Sequence, residues 1–145
     1  YGFRLGDRAI MLFADILKRT FTAPGIFLGH IGGDDFFIAA EVEDRAAFRD
    51  AVRGVGDTFR TEIESFYEPQ HRAAGGIRAA DRNGTPCDFP LMTCSVAILY
   101  VPAGRRIDDF DRLSRRIADV KNAAKSDASG FAECEMEAVE VCGTA

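Results

Sequence analysis

Residues 29–40 read GHIGGDDFFIAA and set Asp34 and Asp35 side by side behind Gly32 and Gly33. Two adjacent carboxylates at a tight bend repel one another unless water or a cation lies between them. Hard oxygen ligands of this kind suit Mg²⁺, which then commonly bridges to substrate phosphates. The plain alternative is a solvated acidic turn, since Gly supplies the positive φ a turn wants and Asp tolerates that region better than most residues. No other stretch offers comparable chemistry. His71 has no second His or Cys nearby, His30 reads as a strand-end histidine, with an approach of its imidazole to phosphate as the alternative, and no Ser-His-Asp or Cys-His arrangement is readable from spacing. Cys87, Cys94, Cys134 and Cys142 lack the close spacing of a zinc site and are expected to be reduced thiols.

The acids must be held by the elements around them. The runs at 26–31 and 36–40 are short, rich in Ile and Phe, and separated by turn formers, which predicts a β-hairpin with its turn near Gly32 to Asp35. Over residues 7–19, Ile10, Phe13, Ala14 and Leu17 share one helical face, with Asp7 placed to cap the helix. From 44 to 66, Phe48, Val52, Val55, Phe59, Ile63 and Phe66 keep the helical period through two glycines. Residues 70–89 read as a polar, glycine-rich loop with a hairpin turn at Asn83-Gly84. Residues 91–101 predict a strongly apolar, central strand. Ile107, Phe110, Leu113, Ile117, Val120 and Ala124 mark a third helix, and residues 134–141 a last strand. The expected class is α/β in the sense of an α+β sandwich: helices flanking a mixed, mainly antiparallel sheet, all in one domain.

Composition narrows the function classes. With 145 residues and 47% hydrophobic content the chain can bury a core. A net charge of −5 and a pI near 5.0 argue against a nucleic-acid surface, which needs a basic face. No run approaches the roughly 18 to 20 apolar residues of a membrane span and none reads as a signal peptide, so a cytoplasmic location is expected.

Several stretches together resemble the GGDEF domains, the diguanylate cyclases and their inactive relatives. The signature GG[D/E]EF appears as Gly32-Gly33-Asp34-Asp35-Phe36, with one carboxylate shortened. YGFRLGD (1–7) is similar to YGHxxGD with Phe3 replacing His, MTCSVAI (92–98) to the strand written TxSIG, and Ala124-Lys125 to the AK pair closing a late helix. The order and approximate spacing hold over nearly the whole chain. The stretch FYEPQHRAAGGIRAADRNG, followed by FPLMTCS, is similar more narrowly to the GGDEF domain of EAL–CBS–GGDEF proteins.

That resemblance implies the fold of the nucleotidyl-cyclase-like GGDEF domains and a chemistry in which two GTP molecules condense to cyclic di-GMP, with Mg²⁺ or Mn²⁺ neutralising phosphate charge. It implies Asp34 and Asp35 as metal-binding and catalytic acids, and Gly32 and Gly33 as the point where backbone approaches phosphate. It further implies Asp7 as acceptor for guanine N–H donors and Lys125 as a contact to the terminal phosphates. Asp7 could equally be a helix cap, and Lys125 an ordinary lysine at a helix end.

The departures from the family pattern carry information. Asp35 in place of Glu withdraws the carboxylate by roughly 1.5 Å, and a displacement of about 1 Å can cost on the order of 100-fold in rate. Ser129 stands where the family often carries a phosphate-binding arginine, and APGI (23–26) lacks both charges of the RxxD product site. The family's first strand, with a metal-binding aspartate and FKxxND, normally precedes YGHxxGD, so residues 1–145 are expected to be an N-terminally incomplete domain. Two readings stay open: a degenerate, regulatory GTP-binding module attached to EAL and CBS domains, or an active diguanylate cyclase in the full-length parent, acting as a homodimer.

Overall fold

Helical periodicity carries through the first stretch further than its acid suggests. In the computed structural model, which describes residues 3–81, 83–104 and 109–136, helix α1 runs Phe3–Thr20 and closes with Lys18 and Arg19 beside its electronegative carbonyl end. The expected start at Asp7 is therefore corrected. Arg4 and Leu5 are good helix formers that extend the first turn, and Asp7 lies inside the helix, where it is no N-cap.

Helix α2 (Arg45–Ile63) begins where an acid does cap it: Asp44 is extended, and its carboxylate accepts the Ala47 N–H at 3.0 Å. That satisfies one of the N–H groups a helix start leaves without a partner. A 3₁₀ turn, Glu64–Phe66, continues it. Val52, Val55, Phe59 and Ile63 are its buried face. Against it α1 sets Ala9, Ile16 and Leu17, with Ile16 and Ile63 wholly shielded from solvent. Shielding each such side chain stabilises the pair by about 1.5–3 kcal/mol. Phe13 meets Phe59 edge-on at 5.3 Å, and an Arg19–Glu62 ion pair ties the helices at the rim.

Strands β1 (Phe27–Gly32) and β2 (Asp35–Ala39) form the expected hairpin, pairing Phe27 with Ala39 and Gly32 with Asp35. The register shifts between His30 and Gly32, so Ile31 is an extra residue and the strand bulges there. The stretch expected as a polar loop is more ordered. Helix α3 (Pro69–Ala74) starts on a proline, whose missing N–H costs nothing at that position, and ends at Gly75 with φ 67°. Strands β3 (Gly76–Ala80) and β4 (Pro86–Pro90) then pair antiparallel about the Asn83-Gly84 turn, as expected for that dipeptide. Asp81 holds the turn by accepting the N–H groups of Asn83 and Thr85, each at 2.8 Å. At Gly76 a Cβ would meet the Phe89 carbonyl oxygen at 2.6 Å, which is why the strand opens on glycine.

The remaining elements are strand β5 (Val96–Tyr100), helix α4 (Phe110–Ser126) and strand β6 (Phe131–Glu135). The strands pair in parallel and α4 packs on both, as a parallel pair requires a crossover. Asp109 caps α4 through the Arg112 N–H at 2.8 Å, and Ile98, Val120, Ala124 and Met136 are buried. The strand expected over 91–101 is shorter, its first five residues being irregular. The last strand begins three residues earlier than expected, while Ile107 and residues 137–141 lie outside the described residues.

The class is α+β. Among the described residues four α-helices accompany six strands in three two-stranded sheets, two antiparallel and one parallel. The chain divides into two compact units, residues 1–94 and 95–145, the second being the β5–α4–β6 unit. No helix among the described residues is long and apolar enough to cross a membrane.

Candidate functional site

The tip of the β1–β2 hairpin is built from backbone conformations that only glycine adopts without strain. Gly32 has φ 131° and Gly33 φ 58°, while no other residue type in the described chain has positive φ. Gly33 and Asp34 are the two central residues of the turn, so positive φ falls on the first of them alone, the pattern of a type II′ hairpin turn. An added Cβ would touch nothing within 4 Å at either glycine. The requirement for glycine is thus conformational, and the space beside the backbone is open to a ligand.

Four of the expected site residues, Gly32, Gly33, Asp34 and Asp35, come together on this tip. Asp34 is exposed and Asp35 half-buried at the start of β2. Alternation along the strand sets Asp35 on the face of Phe37, and Phe36 on the opposite face, where it packs against Phe13 with ring centroids 5.1 Å apart. Asp7 is exposed on α1. Lys125 is exposed in the last turn of α4, in the second unit. Ser129 gives both its N–H and its hydroxyl to Asp127 in the turn that follows α4.

His30 takes part in the tip in a way its sequence position did not convey. Its Nε2 lies 3.0 Å from the Gly33 carbonyl oxygen. A carbonyl only accepts, so Nε2 carries the proton and donates. The imidazole stacks on Phe36, centroids 4.6 Å apart and planes 20° from parallel. The signal was the pairing of His30 with Phe36 across the hairpin, which becomes visible once the register is known.

The carboxylate pair suits Mg²⁺ in donor type, and Mg²⁺ commonly takes one or two carboxylates with water and phosphate oxygens filling its octahedron. Among the described residues no group of three or more His, Cys, Asp or Glu side chains converges as a metal site. Asp34 and Asp35 could therefore supply part of a coordination shell, with a phosphate ligand and water completing it. Cys87, Cys94 and Cys134 are free thiols, and Cys142 lies outside the described residues. Burial pushes the Cys94 thiol above its ordinary value, opposed by the Arg60 charge. The chain matches no protein-family model, no curated protein and no solved structure.

Proposed function

We propose that the chain is a GGDEF-type domain of cyclic di-GMP signalling that works as a degenerate, regulatory GTP-binding module of a larger protein. The observation that carries this reading is the hairpin tip: two glycines with positive φ, open space beside them, and two carboxylates next in line. Such a tip admits a phosphate chain close to backbone. Asp34 and Asp35 would hold the Mg²⁺ or Mn²⁺ that offsets their own repulsion of that phosphate. Asp7 would accept the N–H donors of guanine, and Lys125 would contact terminal phosphates; both assignments rest on the resemblance.

Regulation is favoured over catalysis by the shortened carboxylate at Asp35 and by Ser129, a neutral side chain bonded to Asp127, where the family often carries a cation. Phosphoryl transfer depends almost wholly on positioning and charge neutralisation, and both are reduced. The partner fitting this role is an EAL phosphodiesterase domain, with CBS domains, in the same polypeptide; a homodimer would bring two nucleotides face to face.

Calorimetry with GTP and ATP in the presence of Mg²⁺ tests the proposal. Tighter binding of GTP, with no cyclic di-GMP formed, is the expected result. Equal affinity for the two nucleotides removes the guanine assignment, and turnover abolished by Asp34→Ala removes the regulatory reading in favour of a working cyclase.

A further inference from the structure

Resting on the GTP-binding reading, we infer that His30 is a positioning residue for phosphate recognition, fixing the Gly33–Asp34 peptide so that the tip meets phosphate in one orientation. Three observations place it there. The imidazole Nε2–H donates to the Gly33 carbonyl at 3.0 Å. Its ring is held by stacking on Phe36, 4.6 Å away and 20° from parallel, and Phe36 is itself anchored on Phe13. The bulge at Ile31 inserts one residue between His30 and the Gly32–Asp35 pair, bringing His30 within reach of the turn.

Glycine makes the device necessary. With φ 131° and 58° at consecutive glycines, the tip gains a conformation closed to other residues but also the freedom to leave it. The Gly33–Asp34 peptide, which follows these two glycines, can rotate, exchanging the directions of its C=O and N–H. In a trans peptide these point to opposite sides, so holding the Gly33 oxygen toward the imidazole turns the Asp34 N–H to the other side of the turn. A phosphate approaching from that side meets an N–H dipole, whereas the rotated peptide would present a carbonyl oxygen and repel it. The imidazole need not touch the ligand.

The test uses titrations of the chain with GTP, with inorganic tripolyphosphate and with guanosine, each with Mg²⁺. His30→Phe keeps a ring to stack on Phe36 and removes the donor. His30→Gln keeps an amide donor at the reach of Nε2 and removes the ring. Losing one oriented hydrogen bond should weaken GTP and tripolyphosphate alike by about fivefold to tenfold in the Phe variant, leaving the Gln variant within about twofold of the parent chain. Guanosine binding should be the same in all three. Equal loss in both variants, or loss in neither, overturns the inference, and in that case GTP binding by the parent chain leaves the GTP reading standing. Failure of the parent chain to bind either GTP or tripolyphosphate overturns both. Nitrogen-15 spectra of the unsubstituted chain give a check independent of folding in the variants: His30 should be protonated at Nε2, and an Nδ1–H tautomer refutes the clasp.

Discussion

Replacing glycine by alanine at two positions should change stability in opposite directions, for reasons that lie wholly in the backbone. Gly33, at φ 58°, and Gly54, in the middle of α2, both have open space where a Cβ would stand, so neither substitution meets a clash. At Gly33 an L-residue must take a left-handed conformation, which costs about 1–2 kcal/mol. At Gly54 the helix already supplies the conformation alanine prefers, and removing glycine's freedom in the unfolded chain should add about 0.5–1 kcal/mol. The two variants should therefore differ by about 1.5–3 kcal/mol, obtained by summing the two ranges. Urea unfolding followed by circular dichroism resolves a difference of that size, provided the slopes agree. A midpoint raised by Gly33→Ala would refute the assignment of positive φ at Gly33, and one lowered by Gly54→Ala would refute the helical reasoning at Gly54. Gly33→Asn, with a side chain that tolerates the left-handed region, should fall between Gly33→Ala and the parent.

Ile16→Ala should cost about 2–5 kcal/mol, because the side chain is fully enclosed between α1 and α2 and the helices cannot close the gap completely; thermal unfolding measures it. Cys94 should alkylate more slowly in the native chain than in urea, since burial favours the protonated thiol. Because its folded pKa lies above the unfolded value, the stability tied to that proton is fully present below the unfolded value and is lost as pH rises through the folded one. Cys94→Ala should show a smaller fall in stability at alkaline pH than the parent chain, and an identical fall would remove burial as the cause.

The legible parts of the chain were those whose causes are local. The α2 face from Val52 to Ile63 follows from its period, Asn83-Gly84 states its own turn, and Gly32 to Asp35 is a contiguous stretch whose residue types announce an open, acidic bend. Where an expectation missed, a neighbouring preference outweighed the cue: Arg4 and Leu5 extended α1 past Asp7, and the prolines at 86 and 90 sit at the ends of β4, where a missing N–H is tolerated. Beyond the hairpins, strand pairing was out of reach, since the parallel pairing of β5 with β6 depends on how α4 carries the chain back. His30 stands near the end of β1, as expected of a strand-end histidine, but its contact with the turn was out of reach for the same reason. Its role is set by Phe36 across the hairpin and by the bulge at Ile31, neither of which residues 29–33 reveal alone. Asp7 and Lys125 entered only by resemblance, because one exposed acid and one exposed lysine carry no signature of their own.

The rings of His30, Phe36, Phe13 and Phe59 touch in succession, from the turn to the buried face of α2. A turn of two glycines would ordinarily fray independently of the body it caps, at almost no free-energy cost. Here fraying must first unstack His30 from Phe36, a ring that is itself wedged against α1. The tip therefore shares the cooperativity of the helix pair. A ligand that immobilised it would raise the unfolding free energy of α1 and α2 through the tip alone, and a cavity cut beneath Phe13 would be felt as imprecision at Gly33.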